Sequence, residues 1–183
     1  YLGKFLQPNN WFKIPEFSWK LFEPADREEF FNCLETASFI AVDIENDYPS
    51  DNRCITCVGF TTVILSENVS NTVRTFVVPY TDEYFSEVVR QAVATETPKV
   101  FQNGKFDIAY LLRFRSPVTN YLGDTINVFH SWYSELPKSL AQITSFCLRD
   151  WTYWKDESKA QLGSMDYYQY NAKDAFTTAL CWI

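Results

Sequence analysis

Two acidic residues follow directly on an apolar run in the segment FIAVDIENDY, at residues 39–48. If this run is a strand, Asp43 and Glu45 point to the same face of it, because successive side chains of a strand alternate. Adjacent carboxylates repel each other and are costly to bury without a cation. Mg²⁺ or Mn²⁺, which prefer oxygen ligands, would offset that cost. The alternative interpretation is a solvated strand end that leads into an acidic turn.

Further acidic residues lie in otherwise apolar segments. Asp107 is in VFQNGKFDIAYLL, near the start of a predicted helix, where the helix dipole alone favours an acid. Tyr170 and Asp174 are four residues apart in DYYQYNAKDAFTTAL, so they share one face of a helix, although such a pair could be structural. If these acids converge with Asp43 and Glu45, the four carboxylates would form an all-oxygen cage for two divalent cations.

The elements that must position these residues follow from hydrophobic periodicity. Apolar and β-branched runs predict strands at 38–44, 54–64, 73–79 and 99–102, and a fifth that ends in YLGDT at 121–125. Helical spacing predicts helices at 28–36, 81–94, 106–114, 125–134, 138–148 and from about 166 to the end. Asp26 is the predicted N-cap of the first helix. The helix at 106–114 is nearly all apolar and is predicted to be buried.

The order of the elements predicts an α/β fold with a mixed five-stranded sheet flanked by helices. Three strands follow one another and then strands alternate with helices, which favours parallel crossovers. Active sites of such sheets tend to lie beyond the carboxyl ends of central strands, where Asp43 and Glu45 are placed. Residues 1–25 are aromatic and lack a clean period, which predicts an irregular arm, with room for a short strand, before a domain at 26–183.

The composition restricts the class of protein. The formal net charge is −7, which argues against a broad basic surface for nucleic acid but not against an enzyme whose metal ions supply the positive charge. The five cysteines are scattered and do not predict a disulfide framework. Cys54 and Cys57 would point to opposite faces of a strand, which argues against a zinc site. Because no signal peptide or membrane-spanning run is visible, a cytoplasmic location is expected.

Three motifs occur in order along the chain. They are D-x-E after a strand (Asp43, Glu45), N-x-x-x-D at the start of a helix (Asn103, Asp107) and Y-x-x-x-D in the last helix (Tyr170, Asp174). Together they resemble the DEDD superfamily of 3′–5′ exonucleases, over residues 39 to 178. The resemblance implies an RNase H-like fold, which agrees with the predicted order of strands and helices.

The position of one side chain separates two branches of this superfamily. One branch has His five residues before the last Asp, where this chain has Gln169, and the other has Tyr four residues before it, which is Tyr170. The sequence therefore resembles the tyrosine branch, and the single histidine, His130, is expected to be an ordinary helix residue. The segments QNGKFDIAYLL, LGDTINVFHSWYSELPKSLAQI and YWKDE resemble the proofreading domain of family A, phage-type DNA polymerases. That narrower resemblance implies that a polymerase domain follows Ile183, in a bacterial or phage-infected cell.

The resemblance also implies a role for each motif residue. Asp43, Glu45 and Asp174 would hold one Mg²⁺ or Mn²⁺ ion, and Asp43 would bridge to a second ion that Asp107 reaches through water. Tyr170 would orient the attacking water. The expected reaction is the release of nucleoside 5′-monophosphates from the 3′ end of single-stranded DNA, or of RNA.

Substrate contacts are expected near these acids, each with a simpler alternative. Tyr48 could stack on a frayed base, although Tyr-Pro is also an ordinary turn. Asn103 could orient the acids or touch the substrate, and Lys105 and Lys138 could contact phosphates. Asp124 is expected to be an N-cap rather than a metal ligand. The aromatic residues at 151, 153 and 154 could form a stacking platform or pack against the last helix.

Two alternatives to a polymerase proofreading domain remain open. The first is a stand-alone exonuclease of the RNase D or Werner type that acts on RNA or structured DNA. The second is an RNase H-like scaffold that has lost its metals and serves as a binding module. All four acids and Tyr170 are present, which disfavours the second alternative.

Overall fold

Six strands form one mixed sheet in the computed structural model, which describes residues 14–47, 53–66, 71–148 and 151–183. Their order across the sheet is β1-β4-β3-β2-β5-β6. The strands are β1 (Trp19–Leu21), β2 (Phe39–Asn46), β3 (Ile55–Ile64), β4 (Thr72–Pro79), β5 (Lys99–Phe101) and β6 (Tyr121–Asp124). Antiparallel pairing joins β2 to β3 and β3 to β4, whereas β1 is parallel to β4, and β5 is parallel to both β2 and β6.

The predicted mixed α/β sheet is confirmed, with one more strand than the five that were predicted. The additional strand is β1, which pairs with residues Thr75 to Val77 of β4 and lies at one edge of the sheet. Phe22, directly after β1, is buried in the core. A strand of three residues is too short to show a periodic pattern, so the sequence of the arm allowed a strand but did not predict its position.

Each of the six predicted helices is present, with ends shifted by a few residues. The helices are α1 (Arg27–Thr36), α2 (Glu83–Val93), α3 (Gly104–Arg113), α4 (Thr125–Trp132), α5 (Leu140–Cys147) and α6 (Met165–Trp182), and a short 3-10 helix lies at Lys155–Lys159. Asp26 occupies the N-cap position of α1, but its side chain accepts a hydrogen bond from the backbone of Glu23 instead of capping the helix. Among the described residues, no helix is both long enough and apolar enough to cross a bilayer.

The two faces of the sheet bury different helices. Ile40, Val42 and Ile44 of β2 lie in the core that α1, α2 and α3 cover. Phe39 and Ala41, on the opposite face, pack with Ala179 of α6. This alternation extends to the end of β2, so Asp43 and Glu45 lie on the face that α6 crosses.

The prediction that the helix at 106–114 is buried is wrong in part. Phe106 is 42% exposed and Leu112 is 62% exposed, whereas Asp107 and Leu111 are buried. The helix packs along β2 and β5, where Ile108 and Tyr110 are partly buried against the core. An apolar composition therefore overestimates burial when a helix covers only the short strand β5 and the end of β2.

Candidate metal centre

Three carboxylates meet at the carboxyl end of β2. One oxygen from each of Asp43, Glu45 and Asp174 lies within 4.8 Å of the others, and we call these residues the acid cluster. Asp43 and Glu45 come from the α6 face of β2, and Asp174 comes from the middle of α6, where it is buried. Two segments that are far apart in sequence thus bring three of the four predicted carboxylates together.

Asp174 is fixed by the segment that precedes α6. Its Oδ1 accepts a hydrogen bond from the indole nitrogen of Trp154 at 2.5 Å, and its Oδ2 accepts one from Nζ of Lys155 at 2.5 Å. Trp154 is itself buried against Leu140 and Tyr170. Both oxygens of this carboxylate therefore have a defined direction.

A cationic side chain, Lys155, lies next to the acid cluster, although the sequence did not predict it as a site residue. Its ammonium also donates to the hydroxyl of Tyr170 at 3.1 Å and lies 5.0 Å from the centre of the Tyr170 ring. Its side chain is only 24% exposed. The segment YWKDE has no periodic signal that would predict this contact with α6.

Asp107 lies beside the acid cluster rather than within it. Its Oδ1 accepts a hydrogen bond from the backbone N–H of Ile44 at 3.0 Å. This N–H is available because β5 pairs with β2 only at Ile40 and Ala41 and then ends. The shortness of β5 thus lets the first turn of α3 reach the strand that carries Asp43 and Glu45.

Burial and mutual repulsion disfavour the charged forms of these acids. Desolvation, followed by the charges of Asp174, Asp107 and Glu45, raises the pKa of Asp43 well above its ordinary value. Desolvation and then Asp174 raise the pKa of Glu45 to about 8. Desolvation raises the pKa of Asp107 to about 7, against two backbone hydrogen bonds that lower it. Such a site is stabilised by added positive charge.

The donors fit a hard divalent cation. The acid cluster offers carboxylate oxygens and no thiol or imidazole, which is the ligand set that Mg²⁺ and Mn²⁺ prefer. In the part of the chain that the structure describes, no other group of acids, histidines or cysteines has three ligand atoms this close together. The predicted metal site is therefore supported as an acidic site, and the number of ions that it holds stays a prediction.

The residues that were predicted to contact substrate are not part of the acid cluster. Asn103 and Lys105 are exposed at the start of α3, and Asn103 has a left-handed backbone (φ 62°). The ammonium of Lys138 donates to the backbone carbonyls of Ser134 and Leu136, so it is already engaged within the chain. Tyr48 lies outside the described residues.

Asp124 is a helix cap, as predicted, and it caps two helices. Its Oδ1 accepts from the backbone N–H groups of Ile126 at 2.8 Å and Asn103 at 3.1 Å, and its Oδ2 accepts from Gly104 at 2.6 Å. These N–H groups belong to the first turns of α4 and α3. Its oxygens accept from backbone donors and it is not among the carboxylates that converge in the acid cluster, so Asp124 is placed as a cap and not as a metal ligand.

In the presence of a chelator, we expect the free energy of unfolding to fall as the pH rises from about 5 to 8. Glu45 and Asp107 have raised pKa values, about 8 and about 7, so the folded chain binds more protons than the unfolded chain in this range. Each group contributes at most about 1.4 kcal/mol per pH unit. Urea denaturation at several pH values measures the slope. Mg²⁺ should flatten it, and a stability that rises with pH under chelation would contradict the expectation.

The sequence matches no protein-family model, and no curated protein gives a significant match. Solved structures are similar, however. The catalytic core of RRP6 from Trypanosoma brucei has a TM-score of 0.69 and 16% identity, over 93% of this chain and 48% of that one. This chain thus spans about half of that catalytic core.

Three other similar structures contain a nucleic acid or a metal ion. Trypanosoma brucei RNase D, in complex with RNA U12, has a TM-score of 0.64 and 17% identity, over 90% of this chain and 61% of that one. Brucella melitensis NrnC, with bound Mg²⁺, has a TM-score of 0.57 and 15% identity, over 90% of this chain and 76% of that one. Pol1 from M. smegmatis, with DNA primer-template and dNTP, has a TM-score of 0.62 and 9% identity, over 90% of this chain and 27% of that one.

Because fewer than a fifth of the aligned residues are identical in each case, these similarities concern the fold of the backbone. They span nine-tenths or more of this chain, so they concern the whole sheet and its helices and not one motif. The chain therefore has the α/β, RNase H-like exonuclease fold, with a mixed six-stranded sheet flanked by helices.

Proposed function

We propose that this chain is a metal-dependent 3′–5′ exonuclease domain that hydrolyses the terminal phosphodiester bond of a nucleic acid. The observation that supports the proposal most is the acid cluster, in which Asp43 and Glu45 of β2 meet Asp174 of α6 within 4.8 Å. Asp107 and Tyr170 lie at its border. An all-carboxylate site at the end of a central strand suits phosphoryl chemistry better than acyl or redox chemistry.

Asp43, Glu45 and Asp174 would hold one Mg²⁺ or Mn²⁺ ion, and Asp43 and Asp107 would hold a second. The ions, when bound, supply an activated water and neutralise the charge that develops on the phosphate. The protein fixes the carboxylates that receive them. Trp154 orients Asp174 through Oδ1, and the N–H of Ile44 orients Asp107.

Tyr170 would orient the attacking water by a hydrogen bond rather than accept its proton. Burial, followed by the negative charge of Asp174, raises the pKa of the Tyr170 hydroxyl above its ordinary value. The hydroxyl therefore remains protonated at neutral pH. A protonated phenol donates and accepts hydrogen bonds, which is sufficient to hold a water molecule.

Replacing Tyr170 with Phe is expected to lower kcat roughly tenfold, less than the hundredfold or more that a general acid or base contributes, because Tyr170 orients the water without taking its proton. The affinity for Mn²⁺ should stay near the wild-type value, because the hydroxyl is not a proposed ligand. Steady-state kinetics and a Mn²⁺ titration of the same variant separate the two effects. A variant with wild-type kcat would remove Tyr170 from the reaction.

The stand-alone exoribonuclease is the better supported form of this function. RRP6 and RNase D are among the similar structures, and that of RNase D contains RNA. The substrate would then be the 3′ end of RNA. The second candidate is the proofreading domain of a DNA polymerase, with residues 26–183 as the exonuclease domain after an arm at 1–25. Its support is the similarity to Pol1 and the motifs in the sequence.

One digestion experiment tests the proposal and separates its two forms. Single-stranded RNA and DNA of one sequence, labelled at the 5′ end, are incubated with Mg²⁺, with Mn²⁺ or with a chelator. We expect a ladder of labelled products that are shortened from the 3′ end, and only in the samples that contain Mg²⁺ or Mn²⁺. Faster digestion of RNA would favour the stand-alone form, and faster digestion of DNA would favour proofreading. Internal cleavage, or cleavage that survives chelation, would contradict the proposal.

A further inference from the structure

Asn171 is a fully buried amide that contacts the acid cluster from α6. Its Nδ2 donates to Oδ2 of Asp43 at 2.8 Å and lies 3.3 Å from the backbone carbonyl of the same residue. Asn171 precedes Asp174 by three residues, so one face of α6 carries both. The helix that supplies one carboxylate of the acid cluster thus also holds a carboxylate of the strand.

The other end of this amide has no hydrogen-bond partner among the described residues. Oδ1 of Asn171 is buried and unpaired. Leaving a buried acceptor unpaired costs about 1–3 kcal/mol, which an apolar side chain at this position would avoid. Turning the amide over would pair nothing more and would bring Oδ1 against the carboxylate of Asp43. The orientation with the donor toward Asp43 is therefore favoured by the acid and not by the packing.

Gly59 makes room for the amide. It pairs with Asp43 across β2 and β3, so it lies beside the acid in the sheet. A Cβ atom at Gly59 would be 2.8 Å from Oδ1 of Asn171, 3.0 Å from Cβ of Ala175 and 3.1 Å from the backbone oxygen of Asn171. Such distances require movement of the helix or the side chain. Glycine at this position thus lets α6 approach the sheet closely enough for the amide to reach Asp43.

We propose that Asn171 is a positioning residue, which fixes the Asp43 carboxylate through one oxygen and leaves the other for a divalent cation, and that Gly59 provides the space for it. The inference rests on the proposed function, since it assigns a purpose to Asn171 only if Asp43 binds metal. Residues that hold a ligand in its binding orientation typically change metal affinity about 10–100-fold when they are replaced. Asn171 would act in this way without touching the cation or the substrate.

The experiment measures Mn²⁺ binding to purified variants by calorimetry, without substrate. Asn171→Leu keeps most of the volume, and Asn171→Ala removes it, so that one variant remains informative if the other does not fold. Gly59→Ala keeps the Asn171 amide but displaces it. The matched control is Thr178→Val, which removes another buried, unpaired oxygen from the same face of α6.

Each folded variant at Asn171, and Gly59→Ala, is expected to bind Mn²⁺ about 10–100-fold more weakly than the wild type, with kcat largely recovered at saturating Mn²⁺. The control should bind Mn²⁺ normally. Wild-type affinity in a folded Asn171 variant would overturn the inference while leaving the proposed function intact. If the wild-type chain itself binds no Mn²⁺, the proposed function fails, and the inference fails with it.

Discussion

Replacing Asp43 with Asn is expected to lower the rate of metal-dependent hydrolysis by roughly a thousandfold or more, because a site that loses several kcal/mol of metal-based stabilisation loses at least that factor. Asparagine keeps the shape of the side chain and removes one negative charge. Asp43 lies between Asp174, Asp107 and Glu45, whose charges all raise its pKa. In a chelator at pH 8, the variant should therefore unfold at a higher temperature than the wild type, since an amide has no charge that must be buried or neutralised by a proton.

The combination of lost activity and retained or increased stability distinguishes a metal ligand from a structural residue. Rates on a labelled oligonucleotide and thermal melts in chelator measure the two effects. Asp166→Asn is the matched control, because Asp166 is an exposed acid in the first turn of the same α6. It should leave activity near normal. Near-normal activity in the Asp43 variant would show that the acid cluster is not the reaction centre.

Replacing Lys155 with Met is expected to destabilise the metal-free chain by roughly 2–3 kcal/mol, somewhat less than the loss of one partner from a fully buried ion pair. Asp174 is buried, which raises the pKa of its carboxyl, and Lys155 lowers that pKa, so without the ammonium that now lies 2.5 Å from it the negative charge of Asp174 would be uncompensated or lost to protonation. A divalent cation supplies the missing positive charge. The loss of stability should therefore shrink in Mg²⁺, and the affinity for Mn²⁺ should rise, because no ammonium competes for Asp174.

Urea denaturation with chelator and with saturating Mg²⁺ measures this difference. Lys173→Met is the matched control, since Lys173 lies on α6 and pairs with Glu157 at 2.6 Å. That pair does not include a member of the acid cluster, so its loss should be the same in both conditions. An equal loss in both conditions for the Lys155 variant would mean that the ammonium and the cation do not share a position.

The local parts of the site could be predicted because they follow from the regular spacing of side chains along a strand and along a helix. Alternation along β2 places Asp43 and Glu45 on one face, and the spacing of Tyr170 and Asp174 places both on one face of α6. Both predictions needed only a correct assignment of strand and helix. The capping role of Asp124 followed from its position directly before a helix.

The tertiary parts of the site could not be predicted, since no local pattern encodes them. Lys155 contacts Asp174 from a 3-10 helix, and Asn171 reaches Asp43 across 128 positions of sequence. The approach of α6 to the sheet depends on Gly59, whose meaning appears only once the helix is in place. The same holds for Asp107, whose partner is an N–H that is free only because β5 is short.

The double cap at Asp124 connects the proposed reaction centre with the far edge of the sheet. One carboxylate sets where two helices begin, and one of them carries Asp107 into the vicinity of the other acids. Strand β6, an edge strand two places away from β2, thus helps to position Asp107 of the proposed site. In a mutational scan scored by activity, substitutions at Asp124 would resemble defects in chemistry, although their origin is a shift in the starting point of a helix.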